Sequence, residues 1–185
     1  MKKIIGKIFI LLGTTLILAV LYLNINTSNE NKEIVQTYKN ATQTSNNETK
    51  QAKIVDGVLG VLSIPKINIE VAVRDGTQDE VLETSVGMFE GSVLPGEVGN
   101  FSIAGHRSYT TNTFFSDLDK VEVGDEIIAS SNGHEFNYIV TSTEVVEPTA
   151  LEVLNSTDKK EITLVTCTPK YIGSHRLIVK GEYVE

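Results

Sequence analysis

Short runs rich in Val, Ile, Thr and Tyr recur between turn signals from about residue 54 onward, and this pattern constrains the fold most. The runs lie at residues 57–65, 69–76, 101–105, 125–146, 161–167 and 175–184. Such runs are typical of β-strands. Asn132-Gly133 divides one run into the arms of a hairpin, since Asn-Gly favours a tight two-residue turn. Brief helical signals interrupt the strands at 77–84, 114–118 and 149–154. The pattern predicts an all-β domain at 54–185, built as a closed barrel or a sandwich.

A different pattern occupies the N-terminus. Three lysines lie within residues 1–7, and residues 8–25 contain no charge. A run of this length, extended by a lysine that reaches the interface, is long enough to cross a bilayer as a helix. Lysines before the span predict a cytoplasmic N-terminus and an extracellular remainder. The alternative is a cleaved signal peptide, although the following LYLNINTSNE lacks a small-x-small cleavage site.

Residues 26–53 connect the apolar segment to the β domain. They are polar, with NTSNENKE and NATQTSNNETK as examples. Such composition buries too little apolar surface to offset the entropy of ordering. We therefore expect a flexible extracellular tether, partly helical near residues 32–38.

The charge distribution excludes some partners. The chain has 16 basic and 24 acidic residues, a net charge of -8. Without the three N-terminal lysines, 13 basic and 24 acidic residues remain, a net of -11. No basic stripe is available to neutralise phosphates, so a nucleic-acid partner is not expected. For the same reason, we expect no electrostatic attraction of the domain to anionic lipid.

The chain has one cysteine, Cys167, so no intramolecular disulfide can form. It ends the run at 161–167, and Pro169 follows two residues later. A lone cysteine in a strand is usually a small buried hydrophobe. An idle thiol outside the cell is open to oxidation, however, and a side chain at a strand end beside a loop can face a groove. Two interpretations therefore stand, a packing residue and a nucleophile.

His106 and Arg176 are candidate partners of this thiol. His106 follows the run at 101–105, and Arg176 lies at the start of the last run. Imidazole titrates near neutrality, which suits proton exchange with a cysteine nucleophile. A cation beside the thiol would favour the thiolate and stabilise the oxyanion formed on an attacked carbonyl. The alternatives are a solvated histidine and an arginine paired with an acidic neighbour. His175 stays ambiguous.

Three blocks of sequence, taken in order, resemble the sortase family. They are GVLGVLSIPKINIEVAVRDGT, SIAGHRSYTTNTFFSDLDKVEVGD, and TLVTCTP followed by HRLIVKG. The last block resembles the family's Thr-Leu-x-Thr-Cys strand with an arginine nine residues after the cysteine. The resemblance covers about residues 57–184. It implies a closed eight-stranded all-β barrel with short helical insertions, preceded here by one N-terminal transmembrane helix.

The resemblance also implies a mechanism. Cys167 would be the nucleophile, His106 the general acid/base and Arg176 the cation that orients substrate and oxyanion. Thr166 and Ala104 would line the peptide groove. Family members cleave a C-terminal sorting signal, usually Leu-Pro-x-Thr-Gly, between Thr and Gly through a thioacyl-enzyme. An amine of a peptidoglycan precursor stem peptide, or a pilin lysine, then resolves it at the outer face of a Gram-positive membrane.

The subclass follows from smaller features. CTP followed by HRLIVKG resembles the pilin-polymerising class C enzymes. Those usually carry an Asp-Pro-aromatic plug and a C-terminal membrane span, whereas this sequence has no Asp-Pro and ends at Glu185. We expect class D, with classes A and C as alternatives, and hence anchoring of proteins to the wall.

We expect no cofactor and no metal ligands. Some class A sortases bind calcium through loop carboxylates, and Glu122, Asp125 and Glu126 form a comparable cluster. A solvated turn is the expected structure there.

Two other functions fit parts of the pattern. A cysteine hydrolase would transfer the acyl group to water instead of an amine. A non-enzymatic extracellular β module would leave the three candidate residues as unrelated packing residues. A structure separates the last reading from an enzyme by the placement of the three side chains.

Overall fold

The structure, a computed structural model, describes residues 2–44, 57–107 and 114–185. Its helices are α1 (Lys2–Thr44) and α2 (Asp79–Leu82). Its strands are β1 (Val58–Ile64), β2 (Ile69–Asp75), β3 (Val86–Met88), β4 (Gly99–Ala104), β5 (Glu126–Ser131), β6 (His134–Val146), β7 (Lys160–Thr168) and β8 (His175–Val184). Short 3-10 helices lie at Pro65–Ile67, Leu118–Lys120 and Leu151–Leu154.

The strands of the described residues form one closed barrel in the order β1-β2-β3-β4-β7-β8-β6-β5. The pairs β2–β3 and β4–β7 are parallel, and the other pairs are antiparallel. The expected closed eight-stranded all-β barrel is confirmed. The alternating runs account for seven strands. The eighth, β3, has three residues including a glycine, which is too short for a periodic signal.

Apolar side chains from alternate positions fill the barrel. Its largest buried members include Leu62, Ile64, Phe101, Ile103, Tyr138, Ile162 and Leu164. Phe115 and Leu118, from the turn before β5, join the same core. A Cβ on Gly105 would lie 2.5 Å from the Phe115 ring, so the residue before His106 must be glycine for this ring to pack. The core therefore helps to fix the backbone next to a candidate site residue.

The C-terminal part of α1 packs on the outside of β1 and β2. Asn31, Ile34, Val35 and Tyr38 have the i, i+3, i+4, i+7 spacing of one helix face. Val35 and Tyr38 are each 3% exposed and belong to a cluster with Val58, Val61 and Ala72 of the barrel.

The side-chain amide of Asn31 makes two hydrogen bonds with the backbone of β2. Its Nδ2 donates to Glu70 O at 2.9 Å, and its Oδ1 accepts from Ala72 N at 3.1 Å. The register of β2 with β3 begins only at Val73. The amide therefore satisfies backbone groups that a longer β3 would pair.

Tyr38 ties α1 to the β5–β6 hairpin. Its hydroxyl donates to Leu59 O at 3.3 Å and accepts from Asn132 N at 3.0 Å. Asn132 and Gly133 both have positive φ, as the Asn-Gly turn predicts.

The expected flexible tether at 26–53 needs correction over the part the structure describes. Residues 26–44 are helical and continue α1, so the helix expected near residues 32–38 is present and is longer than expected. The segment is polar on average, but one face of its helix carries Ile34, Val35 and Tyr38, and this face packs on the barrel. The rest of the tether, residues 45–53, lies outside the described residues.

Gly6–Leu23 of α1 agrees with the predicted span at 8–25. Its mean hydropathy is 2.1, and none of it is buried against the protein. Among the described residues it is the one helical stretch long and apolar enough to cross a bilayer.

The helical insertions are shorter than the sequence predicts. The signal at 77–84 corresponds to α2, which spans only Asp79–Leu82 and begins after Gln78, whose side chain makes no cap hydrogen bond. The signals at 114–118 and 149–154 correspond to turns and to 3-10 helices at Leu118–Lys120 and Leu151–Leu154.

Candidate active site

The parallel pair β4–β7 brings His106 and Cys167 to the same end of the barrel. Ala104, the last residue of β4, is in register with Val165 of β7. The ladder continues one step further, because Gly105 N donates to Val165 O at 3.1 Å. His106 and Cys167 are each two residues beyond the Ala104–Val165 pair, so both emerge where the two strands end.

The antiparallel pair β7–β8 places Arg176 directly opposite Cys167. Their Cα atoms are register partners, one step before the last pair, Thr168 and His175. Directly opposed residues on adjacent strands project to the same face, with Cβ atoms about 4.5–5.5 Å apart. The thiol and the guanidinium group therefore start from neighbouring positions on one face.

That face is the outside of the barrel. Val165 and Ile178, which share the face with Cys167 and Arg176, pack against Val153 of the 3-10 helix at 151–154. Leu164 and Leu177, the alternate residues, belong to the barrel core. This packed cluster covers the outer face at Val165 and Ile178 and does not include Cys167 or Arg176, which lie closer to the ends of β7 and β8. Cys167 is accordingly half-buried and is a free thiol.

The β7–β8 loop folds back beside the thiol. A Cβ placed on Gly173 would lie 4.0 Å from Cys167 Sγ. Arg176 holds this loop, because its Nη1 donates to Gly173 O at 3.1 Å and to His175 O at 3.0 Å. Within the parts of the chain described, Nε and Nη2 of Arg176 make no hydrogen bond and are available to a ligand.

His106 lies at the surface of this region. Its side chain is 35% exposed, and Nε2 is 4.0 Å from Oδ1 of Asp79, in the first turn of α2. Its carbonyl oxygen accepts from Phe115 N at 3.1 Å. The imidazole is thus open to solvent and substrate, with a carboxylate nearby that would pair with its protonated form.

Ala104 and Thr166 differ in their placement. Ala104 is partly exposed and lies on the outer face beside Val165, a position compatible with the expected peptide groove. Thr166 is only 3% exposed, and its hydroxyl donates to Gly105 O at 2.7 Å. The expectation that Thr166 lines the groove is therefore corrected. Side chains alternate along a strand, so an outward Cys167 requires an inward Thr166.

Arg107 is a further residue at this site, with a buried side chain, that the sequence did not predict. Its side chain is 4% exposed, and Nη1 donates to Thr168 Oγ1 at 3.0 Å and to Cys167 O at 3.5 Å. Nη2 lies 2.9 Å from Oδ1 of Asp119. The available signal was an arginine directly after the candidate histidine, with an acidic turn some ten residues later.

The same turn also reaches the β7–β8 loop. Oδ1 of Asp117 lies 3.6 Å from Nζ of Lys170, and Oδ2 lies 2.9 Å from Nζ of Lys120. The hydrogen bond from Lys120 is the largest of the effects that lower the pKa of Asp117. The turn therefore contacts both the histidine strand and the loop after the cysteine.

His175 has surface partners of its own. Its Nε2 is 3.2 Å from Oε1 of Glu147, and its Nδ1 is 2.8 Å from the hydroxyl of Ser174. Both ring nitrogens are engaged at the surface, which leaves His106 as the better candidate for proton transfer.

The carboxylates considered for calcium have a cationic neighbour. Nζ of Lys66 lies 3.5 Å from Oε2 of Glu122 and 3.7 Å from Oδ1 of Asp125. Asp125 also accepts a hydrogen bond from the Glu122 backbone N–H. In the described residues, no group of three or more His, Cys, Asp or Glu side chains is arranged to hold a metal ion.

Comparison with known proteins identifies relatives. Residues 62–184 match the Sortase domain family. The chain is 34% identical over 128 residues to sortase A of Bacillus anthracis, covering 69% of this chain but only 60% of that protein. It is 31% identical over 150 residues to sortase D of Bacillus subtilis, covering 79% and 74%. The solved structure of a Clostridium perfringens sortase D5 transpeptidase has a TM-score of 0.70 at 33% identity, covering 85% of this chain and 99% of that one.

Proposed function

Because the chain belongs to the sortase family, we propose that it is a cysteine transpeptidase that cleaves a Leu-Pro-x-Thr-Gly-type sorting signal between Thr and Gly. The observation that carries the proposal is the opposition of Cys167 and Arg176 at a partly exposed strand end, beside the end of the strand that precedes His106. A nucleophile, a titratable base and a fixed cation together meet the requirements of acyl transfer.

In the proposed first half-reaction, the Cys167 thiolate attacks the carbonyl carbon of the signal's Thr. A C–S bond forms, and the negative charge on the carbonyl oxygen is stabilised by donors of Arg176. When the intermediate collapses, the Thr–Gly C–N bond breaks. His106, in its protonated form, donates a proton to the departing Gly amine. The thioacyl-enzyme remains.

In the second half-reaction, an amine attacks the thioester carbonyl. Neutral His106 accepts a proton from that amine, the new amide bond forms, and the Cys167 thiolate leaves. No redox or metal chemistry enters this sequence, so the proposed reaction needs no cofactor. Ala104, on the open outer face, is the residue we place along the bound peptide.

The proposed location follows from the N-terminus. Residues 1–7 lie in the cytoplasm, residues 8–25 span the membrane and the barrel faces the cell wall, because the lysines precede the apolar run. The amine donor is then a stem peptide of a peptidoglycan precursor. An uncleaved anchor is supported by the rest of α1, which continues from the apolar stretch to the docked stripe.

Class D is the proposed subclass. The match to sortase D of Bacillus subtilis and the coverage of the sortase D5 structure support it. Sortases C1 are also among the similar solved structures, and pilin polymerisation is the alternative they favour. The two differ in the acceptor, an amine of a stem peptide against a lysine of a folded pilin domain.

The test uses the full chain in detergent micelles, since α1 packs on the barrel. A fluorogenic Leu-Pro-x-Thr-Gly peptide library is supplied with and without a stem-peptide amine, and Cys167→Ala is the control. We expect Thr–Gly cleavage, a mass adduct on Cys167 and an amine-dependent product. Release to water alone, with the amine in excess, would indicate a hydrolase. A folded protein that cleaves nothing and whose thiol resists alkylation would indicate a binding module.

A further inference from the structure

We infer that Arg107 is a positioning residue that holds the His106 segment against the end of the cysteine strand. Its kinetic consequence rests on the proposed function, but its structural basis does not. Arg107 follows His106 directly in the chain, and its side chain crosses to β7. It therefore joins the two segments whose separation sets the distance between base and nucleophile.

The first step of the argument is the contact with β7. Nη1 of Arg107 donates to the carbonyl oxygen of Cys167 at 3.5 Å and to the hydroxyl of Thr168 at 3.0 Å. Both acceptors lie at the end of the strand, beyond the last β4–β7 register pair. The guanidinium group thus contacts one backbone carbonyl and one side-chain hydroxyl of β7 beyond the point where its register with β4 ends.

The second step is the contact with the turn after His106. Nε of Arg107 donates to Ser116 O at 3.3 Å, and Nη2 pairs with Asp119 at 2.9 Å. The backbone of Phe115 reaches back to the His106 carbonyl. The residues on either side of the 108–113 stretch are therefore connected through the arginine side chain as well as through the backbone.

Burial makes this arrangement specific. A cation whose side chain is 4% exposed must be paired and hydrogen-bonded, because desolvation of a charge is costly. Arg107 meets the requirement with three nitrogens: Nε and Nη2 face the turn at 116–119, and Nη1 faces the end of β7. A lysine carries one nitrogen and cannot reproduce the planar set of donors. The chemistry near the thiol also needs accurate placement, since an error of about 1 Å can cost about 100-fold in rate.

The experiment compares Arg107→Gln and Arg107→Lys with wild type in the full chain. Lys120→Gln is the matched control, because Lys120 also pairs with an aspartate of the same turn but has an exposed side chain. We expect kcat for signal cleavage to fall about 10- to 100-fold in both Arg107 variants, with KM within about threefold. We expect Lys120→Gln to stay within about twofold of wild type.

A second readout separates positioning from simple support of the fold. The rate of Cys167 alkylation by iodoacetamide is measured from pH 5 to 9 in wild type, His106→Ala, Arg107→Gln and the double variant. If Arg107 acts through His106, Arg107→Gln should change the pH profile in the same sense as His106→Ala. The double variant should then show no further change.

The outcomes are distinct. A less stable Arg107→Gln variant with normal kcat and the wild-type alkylation profile would show that Arg107 is only a structural strut. If that variant does not fold, Arg107→Lys, which keeps the charge, is judged by the same two criteria. A wild type that cleaves no signal peptide, with a profile altered by Arg107→Gln, would refute the transpeptidase and still support the positioning of the thiol by Arg107.

Discussion

Cys167 and Arg176 are directly opposed across the antiparallel pair β7–β8, on the outer face of the barrel and near its open end. Nη1 of Arg176 donates to two backbone carbonyl oxygens, those of Gly173 in the β7–β8 loop and of His175. These hydrogen bonds orient the rest of the guanidinium group. A lysine at this position has a single nitrogen and cannot reproduce the planar fork of donors that would serve the loop and a substrate oxyanion from different nitrogens.

We therefore predict that Arg176→Lys lowers kcat for signal-peptide cleavage by about 100- to 1,000-fold, the range seen when one oxyanion donor is lost. Steady-state kinetics with the preferred peptide would measure it, and circular dichroism would verify the fold. Lys180→Gln, a cation change on the same strand, is the control and should be nearly neutral. Normal turnover in Arg176→Lys would remove Arg176 from the mechanism.

Cys167→Ala should abolish cleavage and leave the fold intact. The thiol is half-buried at a strand end and contributes little packing, so we expect a stability change within about 1 kcal/mol. Urea unfolding in detergent and peptide cleavage measure the two effects separately. A strongly destabilised variant would contradict this prediction, because it would mean that Cys167 is a packing residue.

Thr166→Val tests the corrected role of the neighbouring residue. Valine keeps the shape but removes the hydroxyl that donates to Gly105 O, and both groups are buried from solvent. We expect a loss of about 1–3 kcal/mol in unfolding free energy, the cost of leaving a buried acceptor unpaired. Cleavage should also slow, since Gly105 precedes His106. Thr168→Val is the comparison variant. It removes the hydroxyl of the next residue on the same face, which is partly exposed and accepts from Arg107 instead of donating to Gly105 O. Full stability in Thr166→Val would show that the hydrogen bond is dispensable.

The site illustrates what the sequence could and could not predict. The alternating runs located most strands because a half-buried strand repeats every two residues. The resemblance placed Cys167, His106 and Arg176 near one another, and the register of β4, β7 and β8 agrees with that placement. The same period of two predicts that Thr166 faces the barrel interior when Cys167 faces outward. The resemblance instead placed Thr166 in the peptide groove, and the structure shows that the interior position is correct.

Other features depend on contacts between distant segments, which no local pattern encodes. Arg107 gains its role from Thr168 and Asp119, about sixty and twelve residues away in the chain. The helix stripe at 31–38 gains its stability from β1 and β2, so the polar composition of its surroundings favoured disorder. A helix near residues 32–38 is expected from the sequence and is present, but its docking on the barrel and the role of Arg107 are not predicted, for the same reason.

The docked stripe of α1 leads to a fourth prediction. Asn31→Ala should destabilise the protein, because the backbone of Glu70 and Ala72 loses both hydrogen bonds that the amide supplies. We expect a loss of about 1–3 kcal/mol in unfolding free energy. Gln36→Ala is the matched control, since Gln36 is an exposed amide on the same helix. Hydrogen exchange should show faster exchange at Ala72 in the variant only. Equal stability of the two variants would mean that α1 does not dock in solution.

The last prediction concerns Tyr138, a fully buried core residue whose hydroxyl accepts a hydrogen bond from Gly96 N at 2.8 Å. Burial disfavours the phenolate and raises the pKa of Tyr138, with a smaller opposing effect from the Gly96 hydrogen bond. The unfolded chain therefore ionises first, near the ordinary tyrosine value of about 10. The stabilisation is fully present below that pH and is lost as pH rises toward the folded pKa, by at most about 1.4 kcal/mol per pH unit.

Tyr138→Phe should change this dependence in a specific way. At pH 7 the variant should be less stable by about 1–2 kcal/mol, because the Gly96 N–H loses its acceptor. Between pH 9 and 11 its unfolding free energy should fall less steeply than that of wild type, since no phenol at 138 remains to ionise in the unfolded chain. Urea titrations at pH 7, 9, 10 and 11 measure both slopes, and the difference between them cancels the lysines that titrate in the same range. Parallel slopes would show that the phenol ionises as readily inside the barrel as in the unfolded chain, and would place water at a core position that the packing excludes.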